Sequence, residues 1–343
     1  MKYRALVTAE LNIEKLKSEF IDKIEFAVCG YAVDHNVLPH EKLRAIISEY
    51  DILICEYDTI SADIFDAAEK LQMIICCRGG VRTVIDLDAA MKKGIIVCNN
   101  IGRNAGSVTD MVMGYILDLT RNISKTSSMI FSKAITSNKS TKPDEYKDTV
   151  WGLDNSSPFI RFRGRSINHM TLGIIGYGHA GRILANKANA FGMNIFAYDP
   201  YSNFDNKPDF VEITSWNDII KNSDIISVHC VLTAQTKDMF NKNIFSSMKN
   251  GAYFINTARG ELVVEEDLVD ALNSNKLSGA ALDVTRIEPI PSDNILLTAK
   301  NLLITPHIAG SADDVQFCGT EMVIKSIQDY INGRKPHNCV VYK

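Results

Sequence analysis

Long apolar runs are missing from this chain of 343 residues, none approaching the ~18 residues that a membrane-spanning helix needs. The opening segment, MKYRALVTAELNIEKLKSEF, becomes charged too early to read as a signal peptide. An excess of positive charge is missing too. The 37 basic and 41 acidic residues leave −4, which offers no electrostatic footprint for nucleic acid or an anionic membrane. No two of the eight cysteines form a CxxC pair, and Cys55, Cys76, Cys77 and Cys98 sit in apolar runs. They read as small core residues in a reducing compartment, with no metal site expected. Short repeats and low-complexity segments are absent as well. What is left is the composition of a soluble globular protein, 46% hydrophobic and 23% charged, expected in the cytoplasm. Its length exceeds one ordinary core, so two domains are expected.

Short β-branched runs alternate with helical patterns from end to end. In the first part, residues 3–7, 25–29, 51–55, 72–77 and 95–99 read as buried parallel strands. Residues 39–50 and 61–71 have helical periodicity, Ser61 standing as an N-cap, and one long helical stretch runs from about 104 to 131. Residues 136–168 are polar and irregular, too long for a plain connector; Trp151, Phe159, Ile160 and Phe162 suggest an arm packed on another subunit. A second strand–helix series begins at Thr171 with TLGIIG, NIFAYD, DIISVHC, AYFINT, GAALDV and NLLITP.

The second series carries chemistry. Gly176, Gly178 and Gly181 give the GxGxxG spacing between a strand and a helix, and Asp199 closes the next strand. The first glycine permits a tight turn, the second lets a pyrophosphate approach the backbone, and the third lets helix pack on strand. The amides of His179 and Ala180 then face the phosphates, and Asp199 is placed for the adenosine ribose. Pro200 and Tyr201 follow Asp199 instead of a cation for a 2′-phosphate, which favours NAD over NADP.

Arg259 in NTARGELV, Glu288 in LDVTRIEP and His307 in ITPHIAG each follow a predicted strand of the same sheet. The carboxyl ends of parallel strands share one edge, where ligands bind. An arginine at the end of a buried-looking strand is costly unless an anion meets it.

These strings, with DLDAAMKKGIIVCN, GRNAGSV, the glycine fingerprint and SVHCVLT in order, make the chain resemble the D-isomer-specific 2-hydroxyacid dehydrogenases over nearly its whole length. The resemblance implies two doubly wound parallel-sheet (Rossmann-like) α/β domains, the first discontinuous. Residues 1–103 and 310–343 would form a flavodoxin-like substrate domain, and 104–309 an NAD domain with a dimerisation arm at about 136–168. It implies a homodimer, with a small 2-hydroxy or 2-oxo acid as the molecule bound. Arg259 would grip the substrate carboxylate and polarise the ketone. His307 would act as acid and base, with Glu288 on its far ring nitrogen favouring the protonated ring. Asp283 would lie by the nicotinamide, and Cys230 on the adenosine side. His229, Thr257 and Ala258 complete the cofactor contacts, while Arg78, Gly79, Gly80 and Val81 would hold the substrate carboxylate.

The chain departs from the family pattern at Val231, where proline is frequent, at Thr109-Asp110, and in the loop RGGVRTVIDLDAA, which lacks the GVDNVD string. Glu288 in place of glutamine disfavours formate dehydrogenase. Glu56 stands where phosphoglycerate dehydrogenases place an arginine, in contact with substrate or paired with Arg78 or Arg82. That favours a small polyhydroxylated acid over 3-phosphoglycerate, with 3-phosphoglycerate dehydrogenase and hydroxypyruvate reductase as the alternatives. A non-enzymatic alternative is an NAD-dependent corepressor-like binding protein, whose long tails this chain lacks.

Overall fold

A computed structural model describes residues 2–136, 155 and 157–342, in two compact units. The first comprises Met1–Asn104 and Ser311–Lys343, the second Ala105–Gly310. Most of the segment expected to form a dimerisation arm, residues 137–154 and 156, lies outside the described residues.

Five parallel strands build the first sheet: β1 (Tyr3–Val7), β2 (Ile24–Val28), β3 (Ile52–Cys55), β4 (Met73–Cys76) and β5 (Ile96–Asn99). With numbering continued along the chain, β13 (Cys339–Val341) joins them and the order is β13-β5-β4-β3-β1-β2. The sequence reads as continuous apolar runs because both faces are covered. Leu6, Leu53, Ile74 and Val97 enter one core, while Ala5, Ile52, Ile54, Ile75 and Cys98 enter the other. That second core is closed by Val323, Ile324 and Ile327 of the helix Asp313–Ile331, so the last segment packs on the first sheet.

The second sheet contains β6 (Thr171–Ile175), β7 (Asn194–Tyr198), β8 (Val211–Ile213), β9 (Ile225–Val228), β10 (Ala252–Asn256), β11 (Leu277–Leu282) and β12 (Leu302–Ile304). Its order, β12-β11-β10-β9-β6-β7-β8, reverses direction between β6 and β9. That reversal is the switch point at which doubly wound sheets bind nucleotides.

Several expectations are corrected. β13 runs antiparallel to β5, and it and β8 have only three residues, too few to show a period. The long helical stretch is two helices, Ala105–Arg121 and Ile123–Phe131. Asn122 between them adopts a left-handed φ of 56°, which asparagine tolerates better than most residues, and its amide donates to the Phe162 carbonyl at 3.3 Å. Ser61 takes the N-cap position, but its hydroxyl donates to Asp63 at 2.6 Å and caps no amide. Among the described residues, no helix is long and apolar enough to cross a membrane.

Candidate active site

The turn after β6 is built around three glycines, each with a separate reason. Gly176 has φ +96°, and a Cβ there would lie 2.7 Å from the Cys230 amide and the His229 carbonyl carbon. A Cβ on Gly181 would lie 2.3 Å from the Gly176 oxygen, so the helix His179–Ala190 could not sit this close to the strand. Gly178 differs: nothing lies within 4 Å of its Cβ position. That open side, in front of the unpaired first-turn amides of a helix, fits a pyrophosphate.

The flanking groups fit a dinucleotide as well. Asp199 accepts from the Tyr177 amide at 2.8 Å and from the Tyr201 amide at 2.9 Å, so it fixes the glycine turn while further acceptor capacity remains for a ribose. Arg182 reaches the same loop, donating to Ser202 Oγ at 3.3 Å and to the Asn203 carbonyl at 2.5 Å. His229 shares a 2.8 Å hydrogen bond with Ser227 Oγ, and burial lowers its pKa to about 4, so the ring is neutral. Burial pushes the Cys230 thiol up to about 11, with its sulfur 3.9 Å from that of Met239. The Thr257 hydroxyl is buried without a hydrogen-bond partner, an orphaned group of the kind a ligand satisfies.

Arg259, Glu288 and His307 follow β10, β11 and β12, three neighbours in the sheet. Backbone hydrogen bonds join the strand ends: Asp283 N to Asn256 O at 3.0 Å, and His307 N to Asp283 O at 2.8 Å. His307 Nδ1 lies 2.7 Å from Glu288 Oε2, with both side chains partly exposed. The other Glu288 oxygen accepts from the Thr285 amide at 3.1 Å, which fixes the carboxylate that orients the imidazole. Gly260 brings the arginine turn against this loop, since a Cβ there would lie 2.1 Å from the Thr285 carbonyl. Arg259 itself is exposed and donates to the Ala258 carbonyl at 2.5 Å; among the described residues no carboxylate forms an ion pair with it. The strand end is buried but its guanidinium is not, so water meets the charge until an anionic ligand does.

Asp283, expected beside the nicotinamide, is tied into the loop that follows β12. It is 1% exposed, accepts from the Ile308 and Ala309 amides at 2.9 and 2.8 Å, and accepts from the Thr305 hydroxyl at 2.5 Å. Its carboxylate shapes the loop that carries His307 at a left-handed φ of 55°. Sequence reasoning missed Asn256 and Thr305. Asn256 is fully buried, donates to the Arg259 carbonyl at 2.8 Å and accepts from the Ala258 amide at 2.9 Å. An asparagine closing a strand is a signal for such a turn. Thr305 gives no comparable signal, because its partners Asp283 and Tyr115 are distant in the chain.

In the first unit, the Arg78 guanidinium lies 5.2 Å from the centroid of the Tyr57 ring. Burial, and then the Glu56 charge, push the Tyr57 phenol up to about 12. Gly79 accepts from Asn99 Nδ2 at 2.8 Å, a Cβ on Gly80 would meet open space, and Val81 is a core side chain. The amides of Gly79, Gly80 and Val81 donate to no acceptor among the described residues, as a site for a carboxylate requires. Glu56 is 3% exposed and pairs with Arg103, not with Arg78 or Arg82. A charge so deeply buried takes the cation packed beside it in the fold, not one in an exposed loop.

Comparison with known proteins agrees with this geometry. Residues 113–309 match the family model described as D-isomer specific 2-hydroxyacid dehydrogenase, NAD binding domain. A hydroxypyruvate reductase of Thermotoga maritima is 35% identical over 297 residues, covering 85% of this chain and 89% of that one. A D-3-phosphoglycerate dehydrogenase of Methanocaldococcus jannaschii is 33% identical over 341 residues, covering 98% of this chain but 59% of that longer protein. A Thermus thermophilus protein of known structure superposes with a TM-score of 0.74 at 29% identity, covering 98% of this chain and all of that one. The chain belongs to the D-isomer-specific 2-hydroxyacid dehydrogenase family of NAD-dependent oxidoreductases, and the stretch that matches the family's NAD-binding domain lies within the second unit.

Proposed function

We propose that the protein interconverts a small D-2-hydroxy acid and its 2-oxo acid, using NAD. The observation that carries this reading is the Glu288–His307 pair on strand ends beside an exposed Arg259 that has no ion-pair partner among the described residues. The glycine turn at Gly178 and Asp199 would hold NAD, which when bound would supply or accept the hydride. Arg259 binds the substrate carboxylate through its planar fork of donors and polarises the adjacent carbonyl. Because Nδ1 faces Glu288, His307 presents Nε2 to the substrate. That nitrogen donates a proton to the forming hydroxyl in reduction and withdraws one in oxidation. Glu288 holds the ring in place through the 2.7 Å contact with Nδ1.

The substrate is proposed to be unphosphorylated. Relatives include both hydroxypyruvate reductases and 3-phosphoglycerate dehydrogenases, so the first unit has to discriminate. There the Arg103 charge is matched by Glu56, which leaves less net positive charge for a phosphate. A polyhydroxylated 2-oxo acid of small size suits that balance. Exposed Ile123, Ile130, Phe131 and Phe159 in the second unit support a homodimer, and the protein is proposed to act in the cytoplasm.

Steady-state reduction of hydroxypyruvate, 3-phosphohydroxypyruvate and longer hydroxylated 2-oxo acids, each with NADH and NADPH, tests the proposal. Turnover is expected with NADH, with kcat/KM highest for an unphosphorylated acid. Preference for 3-phosphohydroxypyruvate would overturn the substrate assignment, and preference for NADPH would overturn the role of Asp199. No turnover of any 2-oxo acid would favour the binding-protein alternative.

A further inference from the structure

Two cysteines oppose each other where the antiparallel strand β13 closes the edge of the first sheet. Cys339 is the register partner of Cys98 in β5. The Asn99 amide donates to the Asn338 carbonyl at 3.1 Å, so Asn99 and Asn338 form a hydrogen-bonded pair. The adjacent Cys98–Cys339 pair takes the non-hydrogen-bonded position, immediately before the register shift between Cys339 and Val341. In such pairs the Cα atoms approach to ~4.5 Å and the side chains share one face. That separation falls within the ~4.4–6.8 Å that a disulfide spans. Both thiols are free, and the Cys339 thiol donates to the Val341 carbonyl at 2.9 Å.

The partners are chemically unequal. Cys98 is fully buried, and its hydrogen bond with Cys339 together with burial raises its pKa. Cys339 is half-buried, and the hydrogen bond from Cys98, then the Lys335 charge, hold its pKa below the ordinary thiol value. A half-buried thiol beside a fully buried partner is the arrangement of an attacking and a resolving cysteine.

We propose that Cys339 and Cys98 form a peroxide-reactive pair that closes into a reversible disulfide, fastening β13 to β5. The Cys339 thiolate attacks one peroxide oxygen: an S–O bond forms, the O–O bond breaks, and the departing oxygen leaves as water after taking a proton. Cys98 then attacks the sulfenic sulfur: the S–S bond forms, the S–O bond breaks, and the hydroxyl leaves as a second water with the Cys98 proton. Two thiols are oxidised by two electrons, and one hydrogen peroxide is reduced to two waters. A dithiol reductant reverses the change. The cross-link lies beside Asn99, whose side chain holds the Gly79 carbonyl of the proposed carboxylate loop. Cys55 and Cys76 are also register partners, across β3 and β4, but both are fully buried. They are an internal control that peroxide should not reach.

The full chain is treated with stoichiometric hydrogen peroxide, alkylated, and digested without reduction for mass spectrometry. The expected product is a Cys98–Cys339 peptide pair that dithiothreitol separates, with Cys29, Cys55, Cys76 and Cys318 uncross-linked. The oxidised protein should melt a few degrees higher, because the bridge closes a long loop. In Cys98→Ala, Cys339 should stop at the sulfenic acid and be captured by dimedone. In Cys339→Ser, the cross-link should vanish while the protein still folds. Full alkylation of Cys339 after peroxide treatment would overturn the proposal, as would cross-linking through other cysteines.

Discussion

The two units wind their sheets in the same manner, yet the crevice at the switch point is open in one and filled in the other. In the second unit β6 runs into Gly176-Tyr177-Gly178, and the Cβ position of Gly178 faces open space. In the first unit β1 runs into Thr8-Ala9-Glu10, with no glycine. Thr8 is fully buried, and its hydroxyl donates at 2.5 Å to Asp58, itself 1% exposed; one turn of chain away, buried Glu56 faces Arg103. A hydroxyl and two buried carboxylates thus stand at the ends of β1 and β3, where the second unit has its glycine turn. Topology therefore supplies a crevice, and the residues closing the first strand decide whether a dinucleotide can use it.

The largest expected effect tests the filled side. Arg103→Met leaves the Glu56 carboxylate buried without its cation and should destabilise the first unit by about 3–5 kcal/mol, read from urea unfolding. An unchanged midpoint would mean that Glu56 is protonated or hydrated. Next comes the open side. Gly178→Val adds a side chain that the ligand-free fold accommodates, so the melting temperature should hold while NADH binding weakens at least a hundredfold, about 2.7 kcal/mol. Near-normal affinity in that variant would refute the placement of the pyrophosphate. Thr8→Val should cost on the order of 1–2 kcal/mol by leaving the Asp58 carboxylate without its hydroxyl partner, and should not alter NADH affinity. A changed dissociation constant would show that the first crevice also meets the cofactor.

The smallest effect is pH-dependent. Burial lowers the His229 pKa to about 4, whereas an unfolded histidine titrates near ~6.5. The unfolded chain binds this proton more readily, so the stabilisation is complete above the unfolded value and is lost as pH falls from ~6.5 towards 4. Urea midpoints at pH 7 and pH 5 should therefore diverge less in His229→Gln than in wild type. Equal divergence would assign the acid sensitivity elsewhere.

Much of this was legible in the sequence because the relevant forces are local. Strands buried on both faces are written as unbroken apolar runs, and the three glycines stand at a fixed spacing within one strand–turn–helix unit, although the contact that requires Gly176 comes from His229 and Cys230 after β9. Arg259, Glu288 and His307 were legible because strand ends of a parallel sheet converge. What escaped depends on pairing between distant residues. Glu56 finds Arg103, and Asp283 turns both oxygens to the His307 loop and Thr305, through neighbours that appear only once the sheets are assembled. Asn256 lies between these cases: its place at a strand end was visible, but not the two hydrogen bonds that shape the arginine turn.

The central claim is that His307, oriented by Glu288, transfers the proton while NAD transfers the hydride. Its most direct test follows NADH oxidation by the best 2-oxo acid at saturation, in wild type and in His307→Ala. The variant should bind NADH normally and lose on the order of 10²–10⁴-fold in kcat. A His307→Ala enzyme that reduces the acid at nearly the wild-type rate would contradict the account.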